Sequence, residues 1–301
     1  MLTVFRERPP ILLEAQKARL KPNFFIQILI FFGVLATIAA IMFPLTRLVA
    51  PYASMTVNWF LTLFLNVLIL VVPVIYCRFI EKRSLYSMGF TRTKAVTGYL
   101  TGLLTGTTMF SAALLIALIC GTVTYDGFVL EGRVFPLLSF LAFFMVQGMA
   151  EEVLTRGYFM VSVASRGSIL LAVLANSVLF ALLHVFNDGI GILPMINIVL
   201  FGVFASIYLL KTNSIWGVSA VHTSWNFVQG NVFGIRVSGA STPVSLFSYK
   251  LKDTGSLING GAFGLEGGLA VTIILLLSAV ILLSVDGRDL REKTTENSIV
   301  N

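Results

Sequence analysis

The stretch VFPLLSFLAFFMVQGMAEEVLTR, residues 134–156, decides the fold. Its first seventeen residues, Val134–Ala150, carry no charge, and then Glu151, Glu152 and Arg156 follow in quick succession. An uncharged run of that length reads as a helix buried in lipid, because a hydrocarbon core of roughly 30 Å takes about 20 apolar residues per span. An ionised side chain at mid-bilayer costs about 2.5–3.5 kcal/mol even on the lenient insertion scale. Such side chains face a cavity and a partner.

The whole chain fits that reading. Of its 301 residues 57% are hydrophobic and only 12% charged, with a mean hydropathy of +0.92, whereas soluble domains carry about a quarter charged residues. Apolar stretches run approximately over Phe24–Leu45, Trp59–Cys77, Tyr99–Val123, Phe135–Met160, Ile169–Phe186, Ile190–Leu210, Ile215–Ile235 and Gly268–Val285. The expected fold class is all-α, a polytopic membrane protein of about eight transmembrane helices with its active site inside the bundle. The first stretch is too long for a signal h-region and follows a dispersed basic lead, so it reads as a retained anchor. The expected organisation is a basic cytoplasmic lead over 1–23, one transmembrane domain over 24–285, and a cytoplasmic tail over 286–301.

Charge orients the bundle. Arg6, Arg8, Lys17, Arg19, Lys21, Arg78, Lys82, Arg83, Arg92, Lys94, Arg166, Lys211, Arg288, Arg291 and Lys293 fall on one side. Arg47, Arg133, Arg236, Lys250 and Lys252 fall on the other. Both termini are therefore expected in the cytoplasm, in the cell membrane. The net charge of +7 follows from this bias and gives no reason to invoke nucleic acid. Cys77 and Cys120 sit at opposite depths, which argues against a disulfide and makes both packing residues.

The intramembrane charges Glu151, Glu152 and Arg156 are joined by the chain's two histidines, His184 in FALLHVF and His222 in AVHTSWN. Their joint placement in spans points to a shared cavity. Glu152 and Arg156 are four apart and share a helix face, while Glu151 is turned by about 100° from Glu152. The simplest division makes Glu152–Arg156 an ion pair that orders the helix and leaves Glu151 facing the cavity. His222 and Asn226 are also four apart. A carboxylate with a histidine suits activation of water, and a histidine with an asparagine suits an oxyanion. Amide hydrolysis uses such a set, but proton-coupled transporters also bury Glu, His and Arg.

E-E-x-x-x-R (Glu151, Glu152, Arg156), F-x-x-x-H (Phe180, His184) and H-x-x-x-N (His222, Asn226) together resemble the motifs of the CAAX prenyl protease type 2 and bacteriocin-processing family, also called the Abi family. RSLYSMGF at 83–90 and GGAFGLEGG at 260–268 are similar to segments of its members. The resemblance implies an intramembrane glutamic endopeptidase. Glu151 and His184 would activate the water, His222 and Asn226 would hold the oxyanion, and Glu152 and Arg156 would support the site. Its substrate would be a membrane-associated peptide or lipidated protein, either a prenylated CAAX C-terminus or a bacteriocin or signal-peptide type.

Two alternatives stay open, a non-catalytic member acting in self-immunity or partner binding, and a proton-coupled transporter. A rhomboid-like use of Ser219 leaves the paired glutamates and His184 unexplained. No H-E-x-x-H occurs, and no pair of Asp lies in spans. No cofactor is expected to be required. Zinc on Glu151, His184 and His222 is the alternative, although family names often say metalloprotease. The Gly- and Ser-rich loop from Arg236 to Gly267 reads as a connector on the outer side.

Overall fold

A computed structural model describes residues 3–285 apart from Ala53, Lys94 and Glu131. The expected tail, with Arg288, Arg291 and Lys293, lies outside the described residues, as does Lys94. In chain order the elements are α1 (Pro10–Ala15), α2 (Phe24–Val49), α3 (Met55–Ile75), α4 (Ala95–Ile119), β1 (Val123–Phe128), α5 (Val134–Glu152) and α6 (Val161–Arg166). They are followed by α7 (Ile169–Leu182), α8 (Ile192–Thr212), α9 (Ile215–Phe227), β2 (Phe247–Leu251), α10 (Ser256–Asn259) and α11 (Leu269–Ser284). Asn23, Ser54 and Ser168 start α2, α3 and α7 by accepting a hydrogen bond from the backbone three residues on, satisfying a donor that no earlier turn can reach.

The fold is an all-α integral membrane bundle. Five helical stretches are long and apolar enough to cross a bilayer: Phe24–Tyr52, Val57–Ile80, Ala95–Ile119, Val134–Arg166 and Ile192–Thr212. α7 and α11 are shorter apolar helices. The outer helices turn large apolar side chains outward, among them Phe25, Leu29, Phe32 and Phe43 of α2, as a lipid-facing surface requires. α9 differs. It packs against α4, α5 and α8, and every residue from Gly217 to Asn226 is buried. Ser219, His222, Thr223, Ser224 and Asn226 can sit there because protein, not lipid, surrounds them.

Two ends of the bundle can be told apart by their contacts. At the basic end, Arg19 N–H donates to Glu81 O at 2.9 Å and Ile215 N–H to Gly89 O at 2.8 Å, and Gln16 Nε2 donates to Ser165 O at 2.9 Å. At the opposite end, β1 and β2 pair antiparallel with a bulge between Tyr125 and Gly127, and Lys252 N–H donates to Thr122 O at 2.9 Å. The long helices run alternately between these ends.

Several expectations need correction. The basic lead is not a bare polar segment: Ile11, Leu12 and Ala15 of α1 are fully buried, so the lead caps the bundle. The third span starts at Ala95 and gives way to β1 by Val123. The helix expected over Ile169–Phe186 is α7 and ends at Leu182, and His184 occupies the turn beyond it. Cys77 is buried as expected, but Cys120 is exposed and is no packing residue. The loop from Arg236 to Gly267 is no plain connector: it contributes β2 and α10 and folds back over the bundle interior.

Candidate active site

The site begins where α5 changes its winding. From Val153 to Met160 the chain forms a π-helix, in which each N–H reaches back five residues instead of four. The whole run from Glu152 to Ser165 is buried. The loop 83–90 clasps this wider turn. A Cβ on Gly157 would lie 2.9 Å from Met88 O, so only glycine admits that approach. Arg83, itself fully buried, donates from Nη2 to Gly157 O at 2.8 Å and pairs with the buried Glu81 at 3.3 Å. These two charges, at the basic end, are buried ions that hydropathy did not reveal.

Glu152 and Arg156 form the expected pair at 3.0 Å, with both side chains fully buried. The pair does more than order the helix, which corrects the narrower expectation. The same Glu152 Oε1 lies 2.9 Å from His222 Nδ1. A carboxylate accepts hydrogen bonds, so this contact puts a proton on Nδ1. Arg156 also donates to Thr155 Oγ1 at 2.8 Å, and its guanidinium stacks 4.3 Å from the centre of the Phe180 ring. The Phe of F-x-x-x-H thus faces the Arg of E-E-x-x-x-R.

Glu151 points elsewhere. Its side chain is 17% exposed and its Oε2 lies 3.7 Å from His222 Nε2. Gln147, one turn earlier, donates to Oε1 at 3.1 Å. Oε2 itself has no hydrogen-bond partner among the described residues. It borders a cavity of about 670 Å³ shared with His184, His222 and Asn226. His184 Nδ1 lies 2.9 Å from Phe180 O. A carbonyl only accepts, so Nδ1 carries the proton and the neutral ring offers its Nε2 lone pair.

A second, small cavity of about 30 Å³ lies behind the first, lined by His184, His222, Asn226, Ser238 and Glu266 among others. That is room for about one water. All six expected site residues are therefore placed together, Glu151, His184, His222 and Asn226 around the cavities and Glu152 and Arg156 beneath. Sequence reasoning missed Glu266. Its Oε2 accepts from Trp225 Nε1 at 3.2 Å and its Oε1 from Ser238 Oγ at 2.7 Å and from Ser238 N–H. Burial pushes its carboxyl above the usual carboxylate range, against the pull of those hydrogen bonds. The available signal was a lone acid among the glycines of GGAFGLEGG.

The zinc alternative can be tested on this arrangement. Among the described residues, no three His, Cys, Asp or Glu side chains gather as a metal-holding group.

Residues 133–228 match the family model described as type II CAAX prenyl endopeptidase Rce1-like. No curated protein and no solved structure gives a significant match. The matched segment holds every one of the three motifs, from Glu151 to Asn226. The match points to CAAX-type intramembrane protease activity. Over residues 133–228 the chain is thus similar to the Rce1-like, type II CAAX prenyl endopeptidase family.

Proposed function

We propose that the protein is an intramembrane endopeptidase that hydrolyses a peptide bond of a membrane-associated substrate with a water activated by Glu151 and His184. The observation that carries this reading is the unpartnered, largely buried Glu151 Oε2 facing a cavity that His184, His222 and Asn226 share. A carboxylate oxygen without a donor is poised to take a proton from water. His184 supports it, since its Nδ1 is occupied by Phe180 O and its Nε2 is left to accept. Attack of the water on the carbonyl carbon builds a tetrahedral oxyanion. The proton held at Glu151 then passes to the leaving amine as the C–N bond breaks.

His222 and Asn226 hold the oxyanion in this reading. With Nδ1–H on Glu152, His222 donates from Nε2 only in its doubly protonated form, clamped between two carboxylates. Glu152 thereby positions His222, and Arg156 positions Glu152. The apolar cavity wall, with Leu35, Ile69, Phe140, Phe143 and Phe144, suits a lipid-attached or membrane-embedded peptide.

The test compares the termini of membrane peptides from cells making the parent or the Glu151→Gln variant. The expected outcome is a set of termini that Glu151→Gln abolishes, with the variant still folded and inserted, since the change removes a base and little volume. Termini unchanged by the variant would overturn the mechanism. In the same assay on purified protein, exhaustive chelation is expected to leave cleavage intact. Complete loss restored by stoichiometric zinc would make Glu151 and the histidines ligands.

A further inference from the structure

The cavity that holds Glu151 is lined by exposed residues at one end and buried ones at the other. Its rim is built from the turn after α7 and from the segment before β2: Phe186, Asp188, Gly239, Ser241 and Thr242 all line it. Phe186 and Ser241 are exposed. This rim belongs to the end opposite the basic one, because its segment runs on into β2: Leu246 N–H donates to Asn231 O at 2.7 Å, and Val129 N–H, just beyond β1, donates to Leu246 O at 3.0 Å.

The floor is formed by Glu151 and Leu154 of the α5 chain and Ile69 of α3. Below that floor the chain is solid. Every residue from Glu152 to Ser165 is buried, the buried Arg83 and Glu81 fill the next layer, and Ile11 and Leu12 of α1 seal the basic face.

The basic end holds Arg6, Arg8, Lys17, Arg19, Lys21, Arg78, Lys82, Arg83, Arg92, Arg166 and Lys211 among the described residues. Short loops rich in Lys and Arg stay in the cytoplasm during insertion. The sealed face is then the cytoplasmic one, and the open rim faces outward.

We infer that the substrate is a membrane-attached peptide whose scissile bond is presented from the extracytoplasmic face, reaching Glu151 down a well rimmed by residues 186–188 and 237–242. This rests on the protease reading and names its substrate class. The substrate is thus an exported or translocated peptide rather than a C-terminus displayed on the cytoplasmic side.

The experiment places a single reporter cysteine in the full chain carrying Cys120→Ser, the buried Cys77 being left in place. Ser241→Cys probes the rim and Lys17→Cys, on a well exposed side chain, probes the basic end. A bulky membrane-impermeant maleimide is added to intact cells. Full labelling of Ser241→Cys without permeabilisation, and labelling of Lys17→Cys only after it, is expected. That labelling should also remove the Glu151-dependent peptide termini in Ser241→Cys cells and leave them in cells with the parent cysteines. Labelling of Ser241→Cys only after permeabilisation overturns the sidedness, and full labelling with termini unaffected overturns the access route. Absence of Glu151-dependent termini in untreated cells, with labelling as expected, instead overturns the protease reading.

Discussion

At the scale of single residues, two glutamates side by side in sequence have separated fates. Glu152 sits beneath the cavity with two partners on one oxygen, and Glu151 alone of the two borders the cavity. Changing Glu152 to Gln leaves the fully buried Arg156 without its counter-ion, a loss of about 3–5 kcal/mol for a broken buried pair. It also releases His222 Nδ1. Glu152→Gln should therefore lose both thermal stability in detergent and activity, whereas Glu151→Gln should lose activity alone. A Glu152→Gln protein that melts like the parent would show that the pair carries no structural load.

Glu266 adds a pH dependence at this same scale. Its carboxyl is raised by burial in the folded chain relative to an unfolded value near 4.5. The folded state thus holds the proton more tightly, and the associated stability is complete below the unfolded value and is lost as pH rises through the folded one. Detergent melting temperature should fall as pH rises from the acidic side, and Glu266→Gln should flatten that slope. An identical slope in the variant would assign the dependence to another group.

The motif residues were legible because each pair lies within one helical turn, a spacing the sequence displays directly. Glu266 was not, since its partners Trp225 and Ser238 lie far back along the chain and meet it only through loop folding. The role of Glu152 on His222 was hidden for the same reason.

Between elements, the contact of α4 with α9 sets the depth of His222 and Asn226. Gly102 and Gly106, four apart on α4, lie against the backbone and small side chains of α9: Gly217 and Ala220 at the first, Val221 and Ser224 at the second. Gly148 of α5 does the same on the other flank, where a Cβ would fall 2.9 Å from Thr223 Oγ1 and 3.0 Å from Ser219 O. Small residues four apart let helices approach closely in lipid, where packing rather than water exclusion drives association. Gly106→Val would force α9 away, at a cost at or above the ~1–3 kcal/mol of ordinary overpacking. It should reduce activity and detergent stability together, while Gly33→Val on α2, where an added Cβ meets nothing, should leave both near the parent. Equal behaviour of the two variants would refute the close-packing account. The π turn after Glu152 was not legible in sequence, since its residues keep an ordinary helical pattern and the Arg83 and Met88 that pack on it arrive from another loop.

On the scale of the whole molecule, apolar run length gave the helical membrane class directly. What run length could not show was closure. The loop 236–267 looked like a connector because glycine and serine carry no periodicity, yet it roofs the cavity through contacts that only the assembled bundle provides.

The enclosure of α9 also has a consequence for how the protein is made. This helix carries His222, Thr223, Ser224 and Asn226 in immediate succession, and among the described helices it is absent from those apolar enough to cross a membrane. Alone it would meet lipid with those polar groups uncovered, a state that membrane insertion disfavours. During synthesis it must therefore wait at the membrane surface until α4 and α5, which precede it in the chain, stand ready to receive it. A reporter fused after Val232 should cross the membrane in the intact chain and fail to cross when α4 is deleted, with crossing by both chains as the contrary result. His222 thus reaches its depth only as the last partner of helices already in place, so an unfinished copy of the protein leaves the cavity around Glu151 without one of its walls.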